Sequence, residues 1–374
     1  VPTLLLADRA AEEGRVRDAV LAGALCGALA LVRSIGVAAP ASAILVLLAR
    51  RRFLSAAALA GATALLLAPW QLWVAAHSAP MPSALQASYG TYGSFLAPIL
   101  RDDGLAFAAD VVGRNLTALP RIFGAMFAPA PTPWLRTPAL LGCLALVVLG
   151  AARVARRAPT TAVFLGVYFA IVLLWPYAPD RFLWGIWTLV LATLGAGAWV
   201  AIEGARELPA LVRRRGPAAW PAIAGRSLLA AAALLVGAGF VRYETRGISR
   251  RWWESAQRQA AEQAVPLLRW AARADSAAVL ATDYEPLIYL YAGQRTVPAS
   301  AWIVTEYLRP TPPLARRAAI DALLERYHPA FLLATGPGSS AGQTARLLLG
   351  DSPPALVVVQ ELPEGGAVFA PTRQ

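Results

Sequence analysis

Residues 19–52 read AVLAGALCGALALVRSIGVAAPASAILVLLARRR, two apolar runs that meet at Arg33-Ser34 and end on the triplet Arg50–Arg52. A single helix through both runs would be about 45 Å long at 1.5 Å per residue, whereas a hydrocarbon core is about 30 Å thick. Such a helix would also hold Arg33 at mid-depth and Pro40 in its interior, and both placements are costly. The stretch therefore predicts a helical hairpin with Arg33 at the turn, at a membrane surface.

The apolar runs that follow indicate further membrane crossings. Leu54–Ala68 ends on Pro69-Trp70-Gln71-Leu72-Trp73, and tryptophan is enriched where helices leave a membrane. Later runs of similar character are Pro138–Ala152, Thr160–Trp175, Phe182–Ile202 and Ser227–Val241. When the chain crosses at each run, every arginine cluster falls on one side, as expected of cytoplasmic loops. We therefore expect a multi-pass α-helical protein of the cell (inner) membrane.

The composition agrees with a membrane protein and argues against nucleic acid as a partner. Of the 374 residues, 57% are hydrophobic and 15% charged, and the mean hydropathy is +0.52. The net charge of +12 falls largely in short loops between apolar runs, where membrane topology accounts for it. Cys26 and Cys143 lie inside apolar runs and are expected to be small buried hydrophobes. With two histidines in the chain, we expect no metal site built from several histidines.

The composition also divides the chain after residue 242. Residues 1–242 are predicted to form a transmembrane helical domain, with an outer loop at 78–137 that contains an amphipathic helix from Leu105 to Phe127. Residues 243–374 alternate strands and helices, which is typical of a small α/β domain. The predicted strands are Val279–Thr282, Phe331–Thr335, Leu356–Glu361 and Ala367–Ala370. Counting the crossings places this domain outside the cytoplasm.

The first residues indicate a helix already under way. The chain begins with Val1 rather than Met, and Val1–Ala7 is apolar without the pattern of a signal peptide. We therefore expect an N-terminally truncated chain whose upstream part is missing. Asp8–Asp18 is predicted to be a short charged linker on the cytoplasmic side.

Arginines at two predicted outer turns are the main candidates for a binding site. Arg33 lies at the hairpin turn, and Tyr177–Arg181 forms a very short turn between two crossings. A guanidinium at this depth binds a lipid phosphate through two parallel hydrogen bonds. Arg114 in the outer loop is a third cation of this kind. The alternative is that these arginines only extend to the membrane surface or pair with Asp180.

Several short motifs resemble a known family. They are Leu31-Val32-Arg33-Ser34-Ile35-Gly36, Arg50-Arg51-Arg52, Pro69-Trp70-Gln71-Leu72-Trp73, Asp180-Arg181-Phe182-Leu183, and Ala281–Pro286 followed by Tyr289–Arg295. Together they resemble the GT-C superfamily of membrane glycosyltransferases. The nearest similarity is to bacterial homologues of the protein mannosyltransferases and to the lipid A aminoarabinose transferase.

The resemblance implies an inverting transfer of a sugar from a polyprenyl-phosphate donor to an acceptor protein, lipid or glycan at the extracytoplasmic face. In that family the catalytic carboxylate lies in the first outer loop, so here it is expected in the missing upstream part. Asp102 and Asp103 are weaker candidates, as a general base, as ligands of a divalent metal or as a solvated turn. Tyr89 and Tyr92 are expected either to stack on a sugar or to lie in an interfacial aromatic belt. The donor substrate is the polyprenyl-phosphate sugar, and dependence on a divalent metal stays open.

Two other classes of function stay open. In a transporter or flippase we would expect charged or interrupted helices at mid-membrane. The apolar runs here carry no charged residue between their ends. A non-catalytic anchor would display the α/β domain for binding. Gly336-Pro337-Gly338-Ser339-Ser340-Ala341 matches a dinucleotide fingerprint, but Pro337 removes an amide that would face a phosphate. We therefore do not expect a dinucleotide site there.

Overall fold

The computed structural model describes residues 2–78, 99–127, 133–206, 220–300 and 312–372, together with single positions between 79 and 98. Contacts divide the chain into two units: Val1–Ala79 with Leu105–Thr245, and Pro80–Gly104 with Arg246–Gln374. The predicted outer loop at 78–137 is therefore split, because its first part belongs to the second unit. We call these two units the helical unit and the C-terminal unit.

The described part of the helical unit consists of helices joined by short turns. They are α1 (Pro2–Glu13), α2 (Val16–Val32), a 3₁₀ turn (Ser34–Val37), α3 (Ala38–Ala49), α4 (Phe53–His77), α5 (Gly104–Phe127), α6 (Pro133–Arg157), α7 (Pro159–Leu174), α8 (Asp180–Arg206) and α9 (Trp220–Ser249). The amphipathic pattern from Leu105 to Phe127 corresponds to α5, which confirms that this part of the predicted loop is helical.

The helical hairpin predicted at Arg33 is confirmed. Arg33 has extended backbone angles between α2 and α3, and its carbonyl accepts from the Gly36 amide at 2.8 Å. A Cβ on Gly36 would lie 2.5 Å from the carbonyl oxygen of Leu29, so this tight turn requires glycine. Pro40 falls in the first turn of α3, where its missing N–H leaves no hydrogen bond unmade.

Small residues allow two helix pairs to pack with their backbones in contact. Between α2 and α4, a Cβ on Gly23 would lie 2.4 Å from the Leu59 carbonyl oxygen. Between α6 and α8, a Cβ on Gly150 would lie 1.8 Å from the Thr193 oxygen, and one on Gly197 1.8 Å from the Leu146 oxygen. Close approach through glycine is how helices associate where hydrophobic burial gives little driving force.

The charged linker predicted at Asp8–Asp18 is wrong except at Gly14-Arg15, because α1 extends to Glu13 and α2 begins at Val16. Residues Asp8–Glu13 continue α1, which ends at Gly14 with a φ of +73°. Asp8 is buried, and its Oδ1 accepts from the Thr160 amide at 2.9 Å, at the N-terminus of α7. A carboxylate stabilises a helix N-terminus by accepting from its unsatisfied amides. This contact, with a partner 152 residues away, stabilises Asp8 inside the helical unit.

Contacts between helix ends define two opposite ends of the helical unit. At what we call the basic end, Arg52 donates to the Glu12 carbonyl at 3.2 Å and Arg153 pairs with Glu203 at 3.0 Å. At the hairpin end, the Arg33 turn lies against Phe182, the third residue of α8. The 17 residues of α2 connect the two ends, about 25 Å apart at 1.5 Å per residue.

Two helices are long and apolar enough to cross a membrane. They are α4 and the Asp180–Glu203 part of α8, and 22% of the most apolar window of each is buried. The apolar helices Ser34–Ala49 and Pro159–Leu174 are shorter. Within the described ranges, length and composition therefore single out only two of the predicted crossings.

The C-terminal unit contains a small mixed sheet with helices. Its elements are α10 (Trp252–Ala271), β1 (Val279–Thr282), α11 (Glu285–Ala292), β2 (Arg295–Pro298), α12 (Pro313–Tyr327), β3 (Phe331–Ala334), α13 (Ser340–Leu349), β4 (Leu356–Glu361) and β5 (Ala367–Pro371). The strand order is β2-β1-β3-β5-β4. Strands β2, β1 and β3 run parallel to one another. Strand β5 runs antiparallel to both of its neighbours, β3 and β4. The predicted α/β character is confirmed, whereas α11 and β2 were not predicted.

Candidate functional site

Two of the predicted arginines contact the same aromatic ring at the hairpin end. Arg33 lies in the turn between α2 and α3, and Arg181 is the second residue of α8. The guanidinium carbon of Arg33 lies 4.9 Å from the centre of the Phe182 ring, and that of Arg181 lies 5.1 Å from the same centre. The two guanidinium carbons are therefore no more than about 10 Å apart. Both side chains are exposed, whereas Phe182 is buried. We call Arg33 and Arg181 the arginine pair.

The arginine pair is not neutralised by acidic side chains. Within the described ranges, neither guanidinium has a carboxylate at ion-pair distance, and Asp180, the predicted alternative partner, is exposed and unpaired with them. Two like charges on one aromatic ring repel each other, while each gains a cation–π contact. An anion placed between them would remove that repulsion, so the arrangement can bind a phosphate.

The ring that carries the arginine pair is held by its neighbours. The hydroxyl of Tyr168 donates to the Phe182 carbonyl at 2.7 Å. The ring of Trp175 contacts the rings of Phe182 and Tyr177 edge-on, each at 5.6 Å. Tyr177, a predicted binding residue, is 4% exposed, with the Arg181 guanidinium carbon 5.9 Å from its ring centre. Its role is thus to pack beneath Arg181 rather than to face a ligand.

A buried asparagine fixes the turn between α7 and α8. Asn115 on α5 is fully buried, and its Nδ2 donates to the carbonyls of Val172, Leu173 and Trp175 at 2.8–3.0 Å. These carbonyls lie at the C-terminal end of α7, where a helix leaves its last acceptors unsatisfied. The local sequence does not indicate this role of Asn115, because its partners lie about sixty residues away along the chain.

Arg114, predicted as a third phosphate-binding cation, also contacts this turn. Its Nη2 donates to the carbonyls of Trp175 and Tyr177 at 3.3 and 3.2 Å, and to the Asn115 Oδ1 at 3.0 Å. Nη2 therefore bonds to backbone and amide oxygens rather than facing outward. Arg114 is a positioning residue for the turn that leads to Arg181.

The remaining predicted site residues lie outside the helical unit. Asp102 and Asp103 are exposed at the turn before α5 and belong to the C-terminal unit, as does Tyr89. The Tyr89 hydroxyl donates to Glu285 Oε1, and burial is the main reason that the pKa of Tyr89 is raised above its usual value. Tyr92 lies outside the described residues. In the described part of the chain, no group of three or more His, Cys, Asp or Glu side chains is placed to hold a metal ion.

The glycine-rich stretch at 336–341 lies between β3 and α13, as a dinucleotide fingerprint would require. At the N-terminus of this helix, the Asp283 carboxylate accepts from the Ala341 amide at 2.8 and 3.0 Å. The Ser339 hydroxyl accepts from the Gly342 amide at 3.0 Å. A carboxylate of the chain thus fills the position that a phosphate would take.

Comparison of the chain with protein-family models, with curated proteins and with solved structures found no match.

Proposed function

We propose that this chain is a multi-pass membrane glycosyltransferase of the GT-C type, in which the arginine pair binds the phosphate of a polyprenyl-phosphate sugar. The observation that carries the proposal is the meeting of Arg33 and Arg181 on the Phe182 ring. An un-neutralised cationic pair at the end of apolar helices fits a lipid whose phosphate lies at the membrane surface and whose tail lies beside the helices.

The surface of the helical unit supports a membrane location. Large apolar side chains on its helices are widely exposed, among them Val32 at 85%, Leu65 at 77% and Leu54 at 71%. Exposed apolar side chains in this number are costly in water and favourable in lipid. Trp70 and Trp73, also exposed, lie near the end of α4, which suits an interfacial belt.

The distribution of charge supports the proposed orientation. Arg52 and Arg153 lie at the basic end, and the arginine pair lies at the hairpin end. Under the excess of positive charge on cytoplasmic loops, the basic end faces the cytoplasm. The arginine pair then lies at the extracytoplasmic face, with the C-terminal unit proposed on the same side.

The position of the arginine pair also favours an enzyme over a transporter or flippase. Transporters place their substrate sites near the middle of the membrane, on interrupted helices. Arg33 lies in the turn between α2 and α3, and Arg181 is the second residue of α8. Both are at helix ends, where a headgroup is bound at the surface rather than carried across.

The proposed reaction is a single displacement with inversion at the anomeric carbon. The acceptor oxygen forms a bond to that carbon as the bond from the carbon to the phosphate oxygen breaks, and its proton passes to a carboxylate base. The polyprenyl phosphate leaves with the electron pair and gains negative charge. Guanidinium groups that bind the phosphate more strongly as this charge develops lower the barrier.

The test is binding of undecaprenyl phosphate to the full chain in lipid nanodiscs. We expect Arg33→Ala and Arg181→Ala each to weaken binding of the lipid phosphate at least tenfold, and Arg→Lys variants to weaken it less. The matched control is Arg153→Ala, which removes an arginine from the basic end. Equal affinity in the Arg33→Ala/Arg181→Ala double variant and the unaltered protein would overturn the proposal.

A further inference from the structure

The C-terminal unit contains a cleft at the carboxyl ends of its parallel strands. Its volume is about 690 Å³, within the range of about 300–1,000 Å³ that is usual for ligand pockets. The described lining residues are Gln263, Thr282, Asp283, Tyr284, Glu285, Pro298, Ser300, Thr335, Gly336, Gly338, Ser339 and Ser340. Thr282, Pro298 and Thr335 mark where β1, β2 and β3 end. Open α/β sheets bind their ligands at this edge.

The cleft is unsuited to an anion. The Asp283 carboxylate accepts from the Ala341 amide at the N-terminus of α13, so a phosphate at this helix end would meet a carboxylate. Its lining residues within the described ranges include two carboxylates and no lysine or arginine. A nucleotide or sugar phosphate would therefore meet repulsion without a compensating cation.

The polar groups of the cleft are hydroxyls, an amide and carboxylates. Thr282, Thr335, Ser300 and Ser340 contribute hydroxyls, and Gln263 contributes the amide. Glu285 accepts from Tyr89 through Oε1, and its Oε2 is buried without a hydrogen-bond partner in the part of the chain that the structure describes. A buried carboxylate oxygen without a donor is costly, so a ligand that supplies hydroxyl donors is favoured here.

We propose that this cleft binds a neutral, hydroxyl-rich ligand, namely a carbohydrate. Vicinal hydroxyls donate to the carboxylates of Asp283 and Glu285 and accept from the serine and threonine hydroxyls. The ring of Tyr284 offers an apolar surface for the C–H face of a sugar. This inference stands on the cleft alone and does not depend on the arginine pair or on transferase activity.

The test measures binding of neutral oligosaccharides by the full chain in lipid nanodiscs. An array of neutral hexose and N-acetylhexosamine oligosaccharides selects a ligand, and titration calorimetry then gives its Kd. We expect Asp283→Asn and Ser300→Ala to weaken binding at least tenfold and threefold, respectively. Asp275→Asn, a carboxylate outside the cleft that caps its own turn, is the matched control and leaves the Kd unchanged. Thermal unfolding shows that each variant is folded.

The affinity for a charged form of the ligand provides a second measurement, which does not depend on the structural effect of any substitution. The phosphorylated form of the selected sugar is expected to bind at least tenfold more weakly than the neutral form. The proposal is overturned when no array member binds, when Asp283→Asn and Ser300→Ala both bind like the unaltered protein, or when 1,5-diaminopentane binds and no sugar does. Loss of lipid-phosphate binding in the Arg33→Ala variant leaves each of these outcomes unaffected, so the two proposals fail separately.

Discussion

The arginine pair and the C-terminal cleft are opposites in charge and in construction. At the arginine pair, two exposed guanidinium groups share one buried aromatic ring and have no carboxylate partner within the described ranges. In the cleft, two carboxylates and several hydroxyls line a cavity whose described residues include no arginine. The first arrangement is proposed to bind an anion, and the second a neutral ligand. The two candidate sites have no residue in common, so each can be altered by substitution without changing the residues of the other.

The largest expected effect removes the support of the arginine pair. In Gly197→Ala the new Cβ lies 1.8 Å from the Leu146 oxygen, so α8 must move away from α6. We expect a loss of about 3 kcal/mol in stability and loss of lipid-phosphate binding. Gly195→Ala on the same helix meets nothing within 4 Å and is the control. Thermal unfolding in nanodiscs that is the same for both variants would contradict this packing.

The next effect loosens the turn that leads to Arg181. In Asn115→Leu the carbonyls of Val172, Leu173 and Trp175 lose their donor in a buried position. We expect about 2 kcal/mol of destabilisation and weaker lipid-phosphate binding, with the cleft unaffected. Thr117→Ala, which removes one exposed hydrogen bond on the same helix, provides the comparison. Wild-type affinity in Asn115→Leu would show that the turn does not position Arg181.

The reciprocal change disrupts the cleft and spares the arginine pair. In Gly342→Ala the Cβ lies 2.0 Å from the Gly336 oxygen, which forces α13 away from the 336–338 loop. We expect loss of oligosaccharide binding and about 1–2 kcal/mol of destabilisation. Gly350→Ala, whose Cβ contacts begin at 3.5 Å, should bind normally. Lipid-phosphate affinity measured on the same samples serves as an internal reference.

The pH dependence of the two sites should also differ. Burial raises the pKa of Asp283 above its usual value of 3.8, and the nearby Glu285 adds to the rise, while the Ala341 and Ser340 amides and the Ser339 hydroxyl oppose it. A protonated Asp283 accepts sugar hydroxyls poorly, so oligosaccharide affinity should begin to fall at a pH above 3.8 as the solution is acidified. The unaltered protein and Asp283→Asn, titrated in parallel, should differ in slope. Identical slopes would remove Asp283 from the binding interaction.

The smallest effect concerns an ion pair outside both sites. Arg317 on α12 donates to Asp351 at 2.6 Å and to Asp321 at 2.8 Å, and the pKa of Asp351 is lowered by its hydrogen bond to Arg317. A lowered carboxyl pKa stabilises the fold at pH values above 3.8, and this contribution is lost as the pH falls through the lowered pKa. Hydrogen exchange of α12 amides should be slightly faster in Asp351→Asn at neutral pH. The difference should vanish in acid.

Local signals in the sequence predicted a good part of this structure. The break at Arg33, bounded by apolar runs, predicted the hairpin, and the apolar runs at Val279–Thr282 and Leu356–Glu361 predicted two strands with their bounds. Failures arose where the cause lies far along the chain. Asp8 looked like part of a linker because nothing nearby shows that it caps α7 at Thr160. The four-residue β2 is a strand because it pairs with β1.

The same limit applies to the candidate sites. Arg33 and Arg181 were identified singly, from their positions at turns, but only the packing of the α2–α3 turn on α8 brings both to Phe182. The contacts of Arg114 with the turn after α7 were not predicted, because its carbonyl partners lie about sixty residues away along the chain. The cleft depends on three strand ends and was not predicted at all.

The contact between Asp283 and α13 has a consequence for how such loops evolve. Because the Asp283 carboxylate lies where a phosphate would bind, the glycine-rich loop at 336–341 does not present this helix end to a phosphate, although it follows a strand and precedes a helix as a nucleotide-binding loop does. Replacing Asp283 with glycine would vacate that position through a single nucleotide change. In the proposed carbohydrate-binding cleft, one such change would open the N-terminus of α13 to a phosphate, and the reverse change would close it.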